Sequence, residues 1–246
     1  MKVIFLGTNG WYDTKTGNTT CILIETAREF IILDAGNGFY KIDKYIKSKK
    51  PIYLFLSHYH LDHICGLHTV NKLKLPQGLD VFGPLGLKKM FNTIMNKPYS
   101  IDWRKVPTEI RLHEIKNNGL LPLSLEFKKL KHSSLCYGYR FNLEDKIISY
   151  CTDTGFCHNL IALSENADLL LAECSFLPGE TNKDWSHLNP ELAAKAAKEA
   201  KAKKLGLIHF DANRYSSVKK RQLAKKEAVK IFKNVFLGRD SLEIQV

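Results

Sequence analysis

The most constraining feature of this chain is a dense group of potential metal ligands. The segment Ser57–His63 reads Ser-His-Tyr-His-Leu-Asp-His and comes directly after the apolar run Ile52–Leu56. That run is too short for a buried helix and consists mainly of β-favouring residues, so it predicts an interior strand. The potential ligands therefore leave the end of a strand. Three imidazoles and one carboxylate at this spacing suit a borderline-soft divalent ion such as zinc.

The spacing within this segment predicts two metal positions. If the backbone stays extended, His58 and His60 point to the same side, because side chains alternate along a strand. A turn beginning at Leu61 would direct Asp62 and His63 towards a second point. The alternative is a polar loop that is rich in histidine without binding metal, but solvated loops rarely concentrate so many ligand types in six residues.

Composition indicates a soluble globular protein with one large domain. Hydrophobic residues make up 44% of the 246 residues and charged residues 25%, which disfavours disorder. We expect a single domain over 1–246. All apolar runs are far shorter than the roughly 18 residues of a membrane span, and the first residues lack a cleavage-site pattern, so neither an anchor nor a signal peptide is expected.

The six cysteines are scattered without paired spacing. In a chain that is not exported, this pattern predicts free thiols, and we expect a cytoplasmic location.

The chain is strongly basic. Lys and Arg number 37 against 25 for Asp and Glu, which gives a net charge of +12. Such a charge favours polyanions such as RNA, DNA or nucleotides. Most of the excess is Lys, however, which is also the ordinary surface residue of many proteins, so both interpretations remain open.

Three further potential ligands follow predicted strands later in the chain. His132, Asp153 and His209 each come one or two residues after such a strand. Each alone is weak evidence, because a His or Asp at that position is more often a hydrogen-bonded surface residue or a cap. Strand ends are nevertheless where α/β folds gather chemistry on rigid supports. The candidate ligand set is His58, His60, Asp62, His63, His132, Asp153 and His209.

Asp34 ends another predicted strand and has two interpretations. It could support the metal ligands, or it could cap a helix predicted over Tyr40–Lys47. The cap alone would be a sufficient reason for an Asp there.

The pattern His-x-His-x-Asp-His after a buried strand resembles the signature of the metallo-β-lactamase superfamily. Within it, the chain resembles the ribonuclease Z family of tRNA 3′-end endonucleases and their phosphodiesterase relatives, over most of its length. The segments that carry this resemblance include Phe5–Thr8, Leu33–Gly36, Phe82–Leu87, Thr152–Gly155 and Ile208–Tyr215.

The resemblance implies an α/β fold, the four-layer αββα sandwich of the metallo-β-lactamase type. It also implies two divalent metal ions, zinc in the first place and manganese or iron as alternatives. The first ion would be held by His58, His60 and His132, and the second by Asp62, His63 and His209. Asp153 would bridge the two.

The resemblance also implies catalytic roles. His187, oriented and kept protonated by Glu173, would donate a proton to the leaving ribose oxygen. Without the resemblance, a buried acid and a helix-start histidine that bonds to the backbone would be the simpler interpretation. Asp62 is expected to be essential for turnover. Arg214 is expected either to contact a substrate phosphate or to pair with a structural carboxylate.

One departure from the family narrows the expected substrate. Between His132 and Asp153 there is room only for a hairpin, whereas tRNA-processing members carry a long arm there that grips the tRNA. We therefore expect a metal-dependent phosphodiesterase without this arm, acting on cyclic nucleotides, nucleoside cyclic phosphates or short RNA ends. By analogy with the family, we also expect a homodimer.

Three other functions remain as alternatives. The chain could be a ribonuclease Z-type tRNA 3′-end endonuclease, or a thioester, lactone or β-lactam hydrolase with the same ligands. It could also be a non-enzymatic RNA-binding protein on a fold that has lost its activity, although such sites usually lose ligands and all seven are present here.

Overall fold

The computed structural model describes residues 1–116, 121–182 and 184–246, and it contains two large β-sheets and a small two-stranded one. In chain order the strands are β1 (Lys2–Gly7), β2 (Asn9–Gly10), β3 (Cys21–Glu25), β4 (Phe30–Leu33), β5 (Ile52–Phe55), β6 (Leu79–Gly83), β7 (Ile110–Glu114), β8 (Leu125–Lys129), β9 (Tyr137–Leu143), β10 (Lys146–Cys151), β11 (Leu169–Glu173), β12 (Leu205–Ile208), β13 (Phe210–Asp211), β14 (Val235–Leu237) and β15 (Glu243–Gln245).

Short helices separate many of the strands. The α-helices are α1 (Leu61–Ile64), α2 (Leu87–Ile94), α3 (His158–Ser164), α4 (Pro190–Glu199) and α5 (Val218–Ile231). Segments of 3₁₀-helix occupy Asn37–Lys44, Cys65–Lys72 and Trp103–Lys105.

The first large sheet has the order β15-β1-β3-β4-β5-β6-β7, and the second has the order β14-β12-β11-β10-β9-β8. Strands β4 to β7 are parallel, as are β10, β11, β12 and β14. The carboxyl ends of parallel neighbours meet at one edge of a sheet. Several strands can therefore bring their next residues to the same place.

Alternation of side chains along the strands gives each sheet two buried faces. In β1, Val3 and Phe5 pack in the core between the sheets, whereas Ile4 and Leu6 pack in a core with the 3₁₀-helices and α2. In β11 the same alternation places Leu170 in a third core with α3, α4 and α5. Three cores separate four layers, which confirms the predicted αββα sandwich.

The strand predicted over Ile52–Leu56 is present as β5, Ile52–Phe55, and ends one residue earlier. The start of α4 follows from its local sequence, because the Asn189 side chain accepts a hydrogen bond from the Leu192 N–H and Pro190 is the first helical residue. The helix predicted over Tyr40–Lys47 is instead the 3₁₀-helix Asn37–Lys44, and α3 has no counterpart in the sequence-based predictions.

The chain between the β8 strand and the β10 end contains only a tight hairpin. Strands β9 and β10 pair antiparallel, and Glu144 and Asp145 connect them with φ of 50° and 60°. Left-handed backbone at both turn positions matches the twist of the paired strands. The predicted absence of a protruding arm at this point is confirmed.

Two compositional predictions can also be compared with the structure. All six cysteines are free. Among the helices of the described ranges, none is long and apolar enough to cross a membrane.

A buried cation joins α5 to the first loop of the chain. Arg221 is 3% exposed, and its guanidinium donates hydrogen bonds to the Oγ1 atoms of Thr8 and Thr16, at 3.1 and 3.0 Å, and to Oδ1 of Asn9. The guanidinium also lies over the aromatic ring of Phe210, with Cζ 4.5 Å from the ring centre. Burial lowers the pKa of Arg221 to about 10, so it remains charged at neutral pH.

Replacement of this cation should destabilise the protein. We expect Arg221→Ala to lower the free energy of unfolding by about 3 kcal/mol, because two buried acceptors and one partly buried acceptor lose a charged donor. Lys225→Ala, on the exposed face of the same helix, should change it by less than about 0.5 kcal/mol. Denaturant unfolding measures both, and equal stability of the two variants would contradict this role of Arg221.

Candidate metal and catalytic site

The first four candidate ligands lie where β5 ends and α1 begins. His60 is the N-cap of α1, with φ −64° and ψ 147°, so the chain is still extended there. Asp62 and His63 belong to the single turn of α1 that follows. The backbone therefore changes from extended to helical at the position that the sequence predicts.

The remaining candidates come from the other large sheet. His132 follows β8, Asp153 follows β10 and His209 follows β12. Because the two sheets face each other, loops from both meet at one edge of the sandwich. The structure brings all seven candidates together there.

The seven side chains form two groups, and within each group one ligand atom per residue lies within 4.8 Å of the others. The first group is His58, His60, His132 and Asp153, and the second is Asp62, His63 and His209.

The Asp153 carboxylate lies between the two groups. Its Oδ1 is 3.0 Å from Nε2 of His209 and 3.3 Å from Nε2 of His63, and its Oδ2 is 3.5 Å from Nε2 of His58. One oxygen therefore faces each group. This is the arrangement that a carboxylate needs in order to bridge two ions.

The donor atoms of the seven residues are arranged in a way that suits metal coordination. Nε2 of His58 is buried and has no hydrogen-bond partner among the residues that the structure describes. Nε2 of His63 and Nε2 of His209 lie 3.1 Å apart, and Oδ2 of Asp62 lies 3.3 Å from the latter, so these three donor atoms can face one ion. Nitrogen and carboxylate ligands at this density suit zinc, and they also accept manganese or iron.

Asp34 supports the ligands and does not cap a helix. It is fully buried, and its carboxylate accepts hydrogen bonds from the backbone N–H of Ser57, from the Ser57 hydroxyl, from Nδ1 of His63 and from the Tyr150 hydroxyl, all at 2.6–2.8 Å. The 3₁₀-helix that follows has Gly36 at its N-cap and no side-chain cap. A carboxylate on Nδ1 fixes the tautomer of His63 and leaves Nε2 free for a metal.

The pKa values of the buried groups reflect their mutual charges. Burial raises the pKa of the Asp153 carboxyl, but the imidazoles of His209 and His63 outweigh burial and hold this pKa well below its ordinary value. The pKa of Asp62 is lowered in the same way. Burial lowers the pKa of His209, but Asp153 and Asp62 raise it to about 10. The site is therefore built to carry positive charge next to ionised carboxylates.

Three strand ends at the site have left-handed backbone. Asp34, Asp153 and His209 have φ of 56°, 51° and 48°. This conformation costs non-glycine residues on the order of 1–3 kcal/mol and persists where the surroundings determine it. At these corners it turns the side chain back towards the site instead of continuing the strand.

Glu173 and His187 form a hydrogen-bonded pair beside the first ligand group, with the ring of His187 centred 5.7 Å from that of His132. Nδ1 of His187 is 2.9 and 3.0 Å from the two oxygens of Glu173, which is fully buried. The backbone N–H of Thr154 also donates to Glu173, at 2.5 Å. Burial lowers the pKa of His187, but the Glu173 carboxylate outweighs burial and raises it above its ordinary value.

Arg214 lines the same cavity but is bound to two carboxylates. Its Nε and Nη2 donate to Glu180, with the shortest distance 2.6 Å, and its Nη1 donates to Asp211 at 3.0 Å. The structure thus contains the carboxylate pairing that the sequence analysis allowed. Contact with a substrate phosphate stays a prediction.

Several residues at the site were not found by sequence reasoning. The Ser175 hydroxyl lies 3.1 Å from Nδ1 of His209, and the Trp11 N–H donates to Oδ2 of Asp62 at 2.7 Å. At Gly10 a Cβ atom would lie 2.4 Å from the His209 ring. Ser175 could have been suspected as a polar residue after a buried strand. The other two are backbone contacts, which leave no sequence signal.

Members of both ligand groups, together with His187, line one cavity of about 500 Å³. His60, Asp62, His132, Asp153, His187 and His209 all line it. This volume lies within the range of small-ligand sites.

We expect Asp34→Asn to weaken metal binding about 10- to 100-fold, because the amide cannot accept hydrogen bonds from Ser57, His63 and Tyr150 together. Metal content after dialysis against a graded chelator measures this effect. Asp145→Asn, in the exposed β9–β10 turn, is the matched control and should keep wild-type metal content. Equal retention in the two variants would contradict the supporting role of Asp34.

Comparison with known proteins gives relatives over the whole chain. Ribonuclease Z of Synechocystis is 26% identical over 312 aligned positions, which cover 100% of this chain and 94% of the relative. Because this chain has 246 residues, the relative contains segments that this chain lacks.

Solved structures share the fold. The metallo-β-lactamase fold protein YhfI from Bacillus subtilis is 25% identical and superposes with a TM-score of 0.83 over 99% of this chain and 98% of its own. The short form of human tRNase Z is 22% identical, with a TM-score of 0.76 over 100% and 99%. Residues 30–210 match the family described as the beta-lactamase superfamily domain. That match covers more than half of the chain, and the chain therefore belongs to the beta-lactamase superfamily and is a metal-dependent hydrolase.

Proposed function

We propose that this protein is a metal-dependent phosphodiesterase that cleaves small or flexible nucleotide substrates, such as cyclic nucleotides, nucleoside cyclic phosphates and short RNA ends. The observation that carries the proposal is the Glu173–His187 pair, because its imidazole lines the same cavity as members of both ligand groups. A hydrolase of activated esters has no need of a proton donor for its leaving group, whereas the cleavage of a ribose phosphodiester benefits from one.

In this proposal the seven residues hold two ions, zinc in the first place and manganese or iron as alternatives. His58, His60 and His132 hold the first, Asp62, His63 and His209 the second, and Asp153 contacts both. When bound, such ions polarise the phosphodiester, lower the pKa of the attacking water and stabilise the charge that develops on the phosphoryl oxygens.

His187 is the proposed general acid. Its Nδ1 is held by Glu173, so Nε2 is the nitrogen that carries the transferable proton. Protonation of the leaving oxygen avoids the release of a strongly basic alkoxide. Glu173 is fully buried, so its two oxygens hold the imidazole in one orientation.

The preference for small substrates rests on two observations. Where the family has an arm that grips tRNA, this chain has the β9–β10 hairpin. The cavity of about 500 Å³ matches one nucleotide or a short strand end. Binding of a large folded RNA would need contacts beyond this cavity.

The second candidate is a ribonuclease Z-type tRNA 3′-end endonuclease. It is favoured by relatives that bear the name ribonuclease Z over the full chain and by the net charge of +12. The Glu173–His187 pair ranks a thioester, lactone or β-lactam hydrolase lower, most clearly the thioester hydrolase, because a thiolate departs without protonation. A non-enzymatic RNA-binding protein would not need to keep seven convergent ligands. Homodimerisation and a cytoplasmic location stay predictions.

A substrate panel tests the function. Wild-type enzyme should hydrolyse bis-p-nitrophenyl phosphate and at least one cyclic mononucleotide or dinucleotide, and it should process a tRNA precursor less efficiently than a short RNA end. Asp62→Ala removes a proposed ligand, so turnover of every phosphodiester should collapse. Efficient tRNA processing would favour the second candidate, and turnover of a thioester alone would refute the proposal.

The choice of leaving group tests His187. We expect His187→Ala to lower kcat about 10²- to 10⁴-fold for a ribose leaving group and much less for p-nitrophenolate, which departs without protonation. Metal content should be unchanged. His68→Ala is the matched control, because His68 is exposed and contacts the Cys65 carbonyl outside the cavity. Equal losses with both leaving groups would indicate a structural defect instead of lost acid catalysis.

The pH profile tests Glu173. Its carboxylate raises the pKa of His187, so the protonated acid persists to higher pH in the wild type. In Glu173→Gln this pKa should fall, and the alkaline limb of kcat/KM for a ribose leaving group should move to lower pH. His187→Ala should lack this limb. A limb at the same pH in Glu173→Gln and wild type would contradict the pairing.

A further inference from the structure

Two tryptophans stand exposed at the cavity and have no part in the chemistry described so far. The side chains of Trp11 and Trp185 are 65% and 54% exposed, and both line the cavity that contains the ligands. Tryptophan is highly buried on average, because its ring contributes more than most side chains when removed from water. Neither ring stabilises the core in this way, so another reason is needed for their presence.

The backbone of Trp11 makes its identity more informative. It has φ of 73°, a conformation that is unusual for a bulky residue, and its N–H donates to Oδ2 of Asp62 at 2.7 Å. Glycine or asparagine would supply the same N–H with less strain. Tryptophan at this position therefore costs backbone strain, and its exposed ring contributes little to the hydrophobic core in return. This indicates that the ring serves to bind a ligand.

The loop that carries Trp11 is held rigidly. Nδ2 of Asn9 donates to the Tyr12 and Gly17 carbonyls at 3.1 and 2.9 Å, and Oδ1 of Asn9 accepts from the buried guanidinium of Arg221. Strand β2 also pairs with β13, directly after His209. The ring of Trp11 is therefore presented from a fixed support, which lowers the entropy lost when a ligand packs against it.

Trp185 adjoins the proposed general acid. Its ring centre is 5.6 Å from that of His187, and the ring of Phe176 is 5.7 Å from His187 on another side. Trp185 thus stands on the side from which the leaving group departs. Trp11, through its contact with Asp62, stands by the second ligand group.

We propose that Trp11 and Trp185 stack on the nucleobases of the two nucleosides that flank the scissile phosphate. Trp185 takes the base of the leaving nucleoside, because it adjoins His187, and Trp11 takes the base of the other. Every base offers a π-face, so stacking selects nucleotides without selecting a sequence. The inference rests on the proposed phosphodiesterase function and names the part of the substrate that the site recognises.

Substrates with and without bases test the inference. The measured quantity is the ratio of kcat/KM for a dinucleoside monophosphate to that for the analogue in which hydrogen replaces both bases. Trp11→Ala and Trp185→Ala should each reduce this ratio about tenfold, mainly through KM, and Trp11→Phe and Trp185→Phe should restore most of it. Tyr99→Ala is the matched control, because Tyr99 is 73% exposed and lies outside the cavity lining.

Intrinsic fluorescence gives a second readout that does not depend on turnover. The chain has three tryptophans, and the third, Trp103, packs against Phe91 away from the cavity. In a Trp103→Phe background, a nucleoside 5′-monophosphate should quench the emission saturably, whereas ribose 5-phosphate should not. Removal of Trp11 or Trp185 should each remove part of the quenching.

The outcomes separate this inference from the function on which it rests. If bis-p-nitrophenyl phosphate and all nucleotides are left intact, the proposed function fails, and the quenching experiment still decides whether the rings bind bases. If phosphodiesters are hydrolysed but the ratio is unchanged in both alanine variants, the stacking inference is overturned. Altered oligomeric state in these variants with an unchanged ratio would overturn it as well, by showing that the rings contact a second copy.

Discussion

The rest of the structure depends on four buried or nearly buried carboxylates that have no lysine or arginine partner among the described residues. Within the part of the chain that the structure describes, the ion-pair contacts of Asp34, Asp62, Asp153 and Glu173 are all with histidines. Burial of an unpaired carboxylate is costly. Histidine can meet this cost by protonation or by holding a cation, and the facing imidazole nitrogens at the centre favour a cation.

The sandwich makes such a concentration of charge feasible. Parallel strands from two sheets end at one edge, and the corners at Asp34, Asp153 and His209 turn the chain back by left-handed backbone. Supporting contacts hold several of the ligands in place, such as Asp34 on His63 and Ser175 on His209. Asp34 alone receives hydrogen bonds from Ser57, His63 and Tyr150, so it links three strands to one imidazole. Packing in the three hydrophobic cores offsets the cost of the left-handed backbone at these three residues.

The cavity divides its functions along its walls. The ligand groups form the floor, the Glu173–His187 pair stands on one side, and exposed aromatic rings form the rim. In the proposed function, the polar groups carry out the chemistry and the accessible rings carry out recognition. Residues 132–153 form a hairpin where the family has an arm, so the inferred stacking contacts would carry more weight here than in a protein that grips its substrate elsewhere.

The sequence by itself determined the elements and the candidate ligands. The strand before His58, the capped start of α4 and the short β9–β10 hairpin are local features, since alternation, capping and chain length act over a few residues. Tertiary structure decided the rest. Asp34 could be a cap or a support in the sequence, and only the folded chain places Tyr150 and His63 at its oxygens. Arg214 could meet a phosphate or a carboxylate, and Glu180 lies beside it only after folding. The helix α3 and the position of Trp11 likewise escaped prediction. These outcomes depend on contacts between residues far apart in the chain, and no local pattern records which distant side chain will fill a given hydrogen bond.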